Sequence, residues 1–420
     1  MAAPPPSWVI LRAIPRVSED DLPDHADLSL ALAAPPRLAH LTVSPRVSPP
    51  HPDPHDKPSF PWLLAADPAS GLLLLITPPP PSTSPPAIPR FYQGADGVLR
   101  RVAHITYRAD PDHVVLHLPS AAATRLPARN DPFASVSANL GVVAAPDAAP
   151  GAFMVAGFQF IVGGQGAMLL CFSSQTGEWV TKAVRNPLPR WIWNFDGVVA
   201  HDGKLWWVDA AAGLLACDPF ADHPDMAYVR LPEADRDDSS RGCGCYYCSE
   251  RAAASRRRVV LSDGKFRCVE MSRAHQAEAE GEDEVVAPTV TMRTLADPET
   301  AEWTLDYEVC FADIWAADSY RAAGLPEKAP DLVAFVHPKN ADVVYIFLDE
   351  HLFGVDMRAR NLVECEAHGM DASASPSQGG VSKYCVLACE LPPELTAPAA
   401  GVPGEVSDNG VKEESEAAPS

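Results

Sequence analysis

The sequence has no long hydrophobic run. A membrane-spanning helix needs ~18 consecutive apolar residues, and the run at residues 72–76 is only long enough for a β-strand before Pro78 interrupts it. The N-terminus also lacks the basic region and sustained apolar stretch of a secretory signal. We therefore predict an intracellular protein, cytoplasmic or nuclear, that neither spans nor binds a membrane.

Positive charge is scarce. Lys and Arg number 33 against 55 Asp and Glu, giving a net charge of −22 and a sequence pI near 4.9. Nucleic-acid binding requires a basic surface that releases counterions, so we predict no nucleic-acid partner. The tight basic run Arg256-Arg257-Arg258 is interpreted as a solvated strand start, with a fragment of a localisation signal as the alternative.

Familiar catalytic motifs are also missing. The sequence contains neither Gly-x-Ser-x-Gly nor His-Glu-x-x-His. The glycine-rich segment 163–166 is not followed by the Lys and Ser/Thr of a phosphate-binding loop, so a hairpin turn explains it better. We predict a protein that is not an enzyme and has no cofactor.

Proline and turn residues are plentiful. The 44 prolines disfavour helical bundles, because proline cannot donate a backbone hydrogen bond. The stretch 191–220 alternates short apolar runs with Asp- and Gly-containing turns, which predicts strands joined by hairpins. Asp202-Gly203-Lys204-Leu205 is echoed by Asp263-Gly264-Lys265-Phe266, and Thr176-Gly177-Glu178-Trp179 by Thr300-Ala301-Glu302-Trp303.

Repeated four-strand units indicate an all-β, β-propeller-like fold. We predict six blades, with five or seven as alternatives, and closure of the ring by the N- and C-terminal strands. Two β-sandwiches are the alternative fold. A helical turn is predicted at residues 121–128, and a short helix at 311–323.

The predicted organisation is a flexible lead at residues 1–7, one propeller-like domain at 8–394, and a disordered acidic tail at 395–420. Within the domain, insertions are predicted at residues 78–89, 233–255 and 278–284.

The cysteine cluster is the sharpest local signal for a metal. Cys243, Cys245 and Cys248 include the Cys-x-x-Cys spacing of zinc sites, and Cys268 or His275 would complete a tetrahedron. No second standard ligand pair follows, so a loop of reduced thiols is the preferred interpretation and structural zinc the alternative.

Histidine and tryptophan side chains form two further candidate groups. His104, His113 and His117 are close in sequence, and we interpret them as ordinary surface residues rather than metal ligands. The tryptophans would suit a sugar or peptide groove, but packing between blades is preferred; they are Trp179, Trp191, Trp193, Trp206, Trp207, Trp303 and Trp315.

Several sequence blocks together resemble one known family, the plant domain of unknown function 1618, which is expanded in grasses. The blocks are Ser7-Trp8-Val9, residues 35–43, Ala66-Asp67-Pro68, residues 71–75, Asp218-Pro219-Phe220, residues 262–265, residues 302–305, Ile314-Trp315, Leu325-Pro326, His337-Pro338, residues 342–347, Val355-Asp356 and residues 390–393. The family has no established activity, and it is similar to propeller-like domains attached to plant F-box proteins. The helical pattern of an F-box is not present here.

The favoured function is a non-enzymatic scaffold, monomeric, that binds a protein through the rim loops of a propeller. The acidity predicts a partner with a basic patch. One alternative is a hydrolase or lyase acting at the propeller channel, and another is an adaptor in ubiquitin-dependent turnover by analogy with F-box relatives.

Overall fold

The computed structural model describes residues 5–49, 61–77, 91–93, 99–101, 112–128, 139–146, 151–161, 163–189, 191–233, 256–272, 276–277, 284–285, 287–330, 332–369 and 386–396. Within these ranges the regular secondary structure is almost entirely β-strand. Most strands fall into six groups, which we call units 1 to 6 in the order of their first described residue.

The strands of each unit are as follows. Unit 1 contains β1 (Trp8–Arg12), β2 (Arg16–Val17), β3 (Leu28–Ala31), β4 (Leu38–Val43) and β29 (Val386–Glu390). Unit 2 contains β5 (Trp62–Asp67), β6 (Leu72–Thr77), β9 (Asp112–His117) and β10 (Ala122–Arg125), with a hairpin of β7 (Phe91–Gln93) and β8 (Leu99–Arg101) between β6 and β9. Unit 3 contains β11 (Leu140–Ala144), β12 (Phe153–Phe160), β13 (Gly166–Ser173) and β14 (Glu178–Arg185).

The second half of the chain repeats this plan. Unit 4 contains β15 (Gly197–His201), β16 (Lys204–Asp209), β17 (Gly213–Cys217) and β18 (Ala227–Arg230). Unit 5 contains β19 (Arg257–Ser262), β20 (Lys265–Met271), β23 (Thr289–Asp297) and β24 (Glu302–Cys310), with a hairpin of β21 (Gln276–Ala277) and β22 (Glu284–Val285) between β20 and β23. Unit 6 contains β25 (Leu332–Val336), β26 (Val343–Leu348), β27 (His351–Asp356) and β28 (Asn361–Ala367).

The predicted Asp-Gly turns are present. Asp202 and Gly203 have φ values of 51° and 69°, and Asp263 and Gly264 have 49° and 66°. A two-residue hairpin of this type needs positive φ at both central residues, which Asp tolerates and Gly adopts freely. The two turns join the first and second strands of units 4 and 5, so local turn chemistry sets the register of both hairpins.

Units 2 to 6 are antiparallel meanders of four strands each. Unit 1 is assembled from both ends of the described chain. Its strand β1 pairs antiparallel with β29 from Trp8↔Glu390 to Arg12↔Val386, and parallel with β4. The N- and C-terminal strands therefore lie in one sheet, as predicted.

The hydrophobic cores lie between successive units. Separate clusters of buried side chains join unit 1 to unit 2, units 2, 3 and 4 to one another, unit 4 to unit 5, unit 5 to unit 6, and unit 6 back to unit 1. Each sheet is thus covered on both faces, which explains strands that are apolar throughout, such as β17 and β26. This order confirms the propeller-like fold class. The number of blades stays a prediction, because β5 and β15 pair directly and place units 2 and 4 in one sheet.

Each of units 2 to 6 has two edges. Successive strands of a unit run in opposite directions. The connection from the second strand to the third, and the connection from the fourth strand to the next unit, therefore lie on the side where the first strand begins. We call this side the entry edge, and the opposite side, with the first and third hairpin turns, the turn edge.

Contacts at the turn edge show that the units share one orientation. Ala144 N donates to Asp67 Oδ2 (2.8 Å), which joins the ends of β5 and β11. Ser262 Oγ donates to His337 O (2.7 Å), which joins the first turns of units 5 and 6. Lys339 and Glu390 form an ion pair at 3.4 Å, which joins unit 6 to unit 1.

Two local predictions were wrong, and a third was right only in part. Residues 121–128 contain strand β10 instead of a helical turn, because β10 gains backbone bonds by pairing with β9. The helix predicted at 311–323 is two short helices, α1 (Phe311–Trp315) and α2 (Asp318–Ala322), separated where Ala317 is extended. The run Arg256-Arg257-Arg258 is not a solvated strand start, because Arg257 is only 3% exposed.

The described C-terminal residues end in helix α3 (Pro393–Thr396), which spans the predicted domain boundary at residue 394. The predicted tail beyond Thr396 lies outside the described residues, as does most of each predicted insertion. The domain boundaries stay predictions. No helix in the described ranges has the length and apolar character that crossing a bilayer requires.

Candidate functional site

All three predicted insertions are attached to the entry edge. The chain leaves that edge at Thr77, the end of β6, and returns at the start of β9. It leaves again after β18 and returns at β19, and it does so once more between β20 and β23. The insertions at 78–89, 233–255 and 278–284 fall in these three connections, although the insertions themselves lie almost wholly outside the described residues.

The turn edge is built differently. Its connections include the two-residue turns at 202–203 and 263–264 and the four-residue turns at 118–121, 174–177, 298–301 and 357–360. The hydrogen bonds and the ion pair between neighbouring units described above also lie at this edge. The turn edge also has two longer connections, at 145–152 and 218–226, but the longest connections between the strands lie at the entry edge.

The described residues of the connection between β14 and β15, 186–189 and 191–196, form part of the entry edge. Asn186 N donates to Gln165 O (2.8 Å), and the Asn186 side-chain oxygen accepts from Trp193 Nε1 (3.1 Å). Gly163 N donates to Pro189 O (2.5 Å), so the β12–β13 turn is held against the same connection.

The Asp209 side chain fixes Trp191 and Asn194 of this connection. Its Oδ2 accepts from Trp191 Nε1 (3.1 Å) and from Asn194 N (2.9 Å), while Oδ1 accepts from Ala211 N (3.0 Å). Asp209 is only 2% exposed. A buried carboxylate that accepts several N–H groups fixes the backbone around it.

Two apolar side chains project from this rigid base. Ile161, at the end of β12, is 68% exposed, and Ile192 is 45% exposed. We call Ile161, Ile192 and the described residues of this connection, 186–189 and 191–196, the isoleucine platform. Sequence reasoning did not single out either isoleucine, because a lone apolar residue in a loop carries no pattern.

The tryptophans mostly serve packing, as predicted. Trp193, Trp206 and Trp207 are 5%, 7% and 0% exposed and lie within the cores between units. Trp207 Nε1 donates to Asn139 O at 2.7 Å. Indole rings that fill a core and satisfy their N–H internally are not available to line an open groove.

Trp179 and Trp303 occupy matching places in units 3 and 5. Trp179 Nε1 donates to Pro127 O, just beyond unit 2, and Trp303 Nε1 donates to Arg230 O of unit 4, both at 2.9 Å. Each indole thus bonds the backbone next to the last strand of the preceding unit.

Of the predicted cysteine site, only Cys268 lies within the described residues. Cys243, Cys245, Cys248 and His275 lie outside the described residues. Cys268 lies in β20, is 3% exposed, and packs between units 4 and 5. Burial raises the pKa of its thiol to about 11, which disfavours the thiolate that binds zinc. In the described part of the chain, no three His, Cys, Asp or Glu side chains form a group that could hold a metal ion.

The histidine interpretation needs one correction. His104 lies outside the described residues, but His113 is not a surface residue, being 5% exposed in β9. It is buried because β9 belongs to a sheet covered on both faces by neighbouring units. His117 lies closer to the surface, with Nδ1 at 2.6 Å from Ser120 Oγ.

Titratable groups with shifted pKa values are spread over the molecule. Burial raises the pKa of Tyr345, and the Glu364 carboxylate to which its hydroxyl donates raises it further. Burial lowers the pKa of His337. Donated hydrogen bonds from Glu299 N and Thr300 Oγ1 lower the pKa of Asp297, in a turn of unit 5. These shifts follow from packing and turn formation.

Comparison with protein families supports the resemblance noted in the sequence. The model of the family described as "Protein of unknown function (DUF1618)" matches residues 207–345, from β16 to β26. This match confirms the predicted family resemblance over about a third of the chain. The predicted plant origin and similarity to F-box-associated domains stay predictions. A search of the curated proteins finds no match.

Solved structures with some similarity include propellers. The β-propeller domain of Myceliophteria thermophila Cps50 (Swd1) is 12% identical, with 62% of this chain and 81% of that chain covered and a TM-score of 0.26. AztD from Citrobacter koseri is 9% identical, with 82% and 74% covered and a TM-score of 0.30. YjhT is 10% identical, with 87% and 95% covered and a TM-score of 0.33. These scores are too low to support an argument, so the fold assignment depends on the strand pairing and cores of this chain.

Proposed function

We propose that the protein is a non-enzymatic scaffold that binds a protein partner through its entry edge. The observation that carries this proposal is the difference between the two edges. Most connections at the turn edge are short, and hydrogen bonds link neighbouring units there, whereas the longest connections are attached to the entry edge. In folds of this type the sheets are rigid and the loops on one side carry recognition.

The isoleucine platform gives this edge an ordered contact surface. Exposed apolar side chains on a rigid base lose little entropy on binding and bury surface that water solvates poorly. Ile161 and Ile192 meet this description, since Asn186 and Asp209 fix the backbone beneath them.

The charge of the chain indicates the kind of partner. At a net charge of −22, the protein attracts a basic surface and repels an acidic one, which favours fast association with a basic partner. We propose a monomer inside the cell that binds a protein with a basic patch, and neither nucleic acid nor membrane. The channel enzyme and the turnover adaptor remain alternatives from sequence alone.

Proximity labelling in cells would test the proposal with matched variants. The entry-edge variant is Ile161→Asp with Ile192→Asp. The control is Leu305→Asp, an equally apolar residue that is 55% exposed on strand β24, away from the isoleucine platform. A specific partner should be enriched by the native protein and by the control, and its enrichment should fall at least tenfold with the entry-edge variant.

Purified components then decide the outcome. The partner should bind the native chain and the Leu305→Asp control with the same Kd, and bind more weakly as salt is raised. A partner set that is unchanged by the double substitution, and by removal of residues 234–255, would refute binding at the entry edge.

A further inference from the structure

Parallel pairing in unit 1 brings two arginines and a histidine together. Strand β1 pairs with β4 at Ile10↔Leu38 and Leu11↔Ala39, and β2 pairs with β4 at Arg16↔Thr42. Continuing the β1–β4 register by one residue places Arg12 beside His40. Paired residues of neighbouring strands project from the same face of a sheet, so Arg12, Arg16 and His40 share one face.

This face points toward unit 6. Ile10 and Leu38 lie in the core between units 1 and 6, and Arg12 and His40 are each two residues further along the same strands. Arg12, the last residue of β1, pairs with Val386, the first residue of β29, whereas Glu390 at the other end of β29 contacts Lys339 at the turn edge. The three side chains therefore lie where the crevice between units 1 and 6 opens at the entry edge. We call them the basic crevice.

The Arg12 guanidinium is held in a fixed orientation. Its Nη2 donates to His368 O (3.1 Å) and to Gly369 O (3.2 Å), both at the end of unit 6. Its Nε is buried and has no hydrogen-bond partner among the described residues. A buried donor without a partner is costly, so an acceptor that reached this atom would stabilise the site.

The electrostatic surroundings are positive. Burial lowers the pKa of His40, and the charges of Arg16 and Arg12 lower it further. Burial and the charge of Arg16 likewise lower the pKa of Arg12. Among the described residues neither arginine has a carboxylate within ion-pair distance, whereas Arg46, Arg125 and Arg360 each have one.

We propose that the basic crevice binds a phosphate group. Two guanidinium groups match the two negative charges of a phosphate dianion, and their planar forks suit its tetrahedral oxygens. The imidazole of His40 donates one further hydrogen bond. The phosphate is free inorganic phosphate or the phosphorylated side chain of a bound protein. This proposal does not depend on the proposed scaffold function.

Thermal unfolding of the full chain in inorganic phosphate tests the site. Phosphate should raise the Tm of the native protein above its value in sodium chloride of equal ionic strength. Arg16→Gln is the test variant, because Arg16 is exposed and its loss leaves the core intact. Arg321→Gln is the matched control, an exposed arginine paired with Asp318 in helix α2.

The expected result is a phosphate Kd, measured by calorimetry, at least tenfold weaker for Arg16→Gln than for the native chain and unchanged for Arg321→Gln. Adding His40→Gln should weaken it further. Equal Tm shifts in phosphate and in chloride, or equal phosphate affinity of the native chain and Arg16→Gln, would overturn the proposal.

A second titration distinguishes the two sources of phosphate. A short peptide with one phosphoserine is compared with the same peptide carrying serine and with inorganic phosphate. Tighter binding of the phosphopeptide than of inorganic phosphate assigns the site to a protein partner. Tighter binding of inorganic phosphate assigns it to the free ion.

Discussion

Gly203 shows what a single turn residue contributes. Its φ is +69°, and a Cβ added there would meet no atom within 4 Å. The Gly203→Ala substitution should therefore cost only the left-handed backbone penalty, about 1–2 kcal/mol of unfolding free energy. Gly197→Ala is the control, because Gly197 also has open space but no positive φ. Urea unfolding should show a loss for the first variant alone; equal losses would contradict this reason.

The buried ion pair of unit 5 is a second residue-scale feature. Arg257 Nε lies 2.8 Å from Glu270 Oε2, and the two side chains are 3% and 6% exposed. Removing one partner leaves the other charge buried, so Arg257→Met should lower the free energy of unfolding by about 3–5 kcal/mol. Arg321→Met, which removes an exposed pair, should change it by less than about 1 kcal/mol.

A double variant separates charge burial from packing. Arg257→Met with Glu270→Leu removes both charges, so it should recover most of the stability lost in the single variant. Denaturant unfolding of the native chain, both single variants and the double variant completes the cycle. A double variant as unstable as the sum of the single variants would show that the two residues act independently.

Four buried thiols give a pH-dependent prediction. Burial raises the pKa of Cys171 and Cys268 to about 11 and that of Cys217 and Cys389 to about 12. At pH 8, below all four values, the thiolate should be about 200-fold scarcer for Cys171 and Cys268, and about 2,000-fold scarcer for Cys217 and Cys389, than in the unfolded chain, where the pKa is about 8.5. Iodoacetamide labelling followed by mass spectrometry should find these cysteines unmodified until urea is added. Rapid labelling of Cys268 in the native protein would contradict its assignment as a core residue.

At the scale of the elements, the two repeated tryptophans hold neighbouring units together. Trp303→Phe keeps the ring in place and removes the hydrogen bond to Arg230 O, so it should cost about 0.5–1.5 kcal/mol. Trp179→Phe should cost a similar amount through the bond to Pro127 O. Because the two sites lie in different units, the double variant should show the sum of both losses in urea unfolding. A loss much larger than that sum would indicate coupling between units 3 and 5.

These repeats were predictable because they depend on local chemistry. Asp-Gly at 202–203 and 263–264 sets positive φ within two residues, and the structure has both turns. Arg257 was not predictable, because its burial depends on Glu270 in the neighbouring strand and on the face of unit 4. Strand β10 was not predictable either, because its residues have no strong strand preference of their own. Propensity is overridden where a neighbouring strand supplies hydrogen bonds.

The candidate sites were also only partly predictable from the sequence. The positions of the insertions on one edge follow from counting alternating strands, so the sequence contains that information. The basic crevice does not follow from counting, because it requires the parallel register of β1 and β2 with β4. Parallel pairing joins residues that are distant in sequence, and no local pattern around Arg12, Arg16 or His40 specifies it.

At the scale of the whole molecule, strand β29 completes unit 1. It pairs with β1 over five residues, and its Cys389 is fully buried in the core between units 1 and 2. Val386 and Ala388 lie against the core between units 6 and 1. The same short strand therefore contacts both ends of the series of units.

Two truncations test whether this strand closes the fold. A chain ending at residue 396 keeps β29 and helix α3, so its Tm should equal that of the full chain. A chain ending at residue 385 lacks β29, which exposes the edge of β1 and opens both adjoining cores. Because an unpaired apolar edge promotes aggregation, this chain should aggregate or unfold at a much lower temperature. Size-exclusion chromatography and thermal unfolding measure these outcomes. A shorter chain that stays monomeric with an unchanged Tm would show that pairing of the two terminal strands does not stabilise the fold.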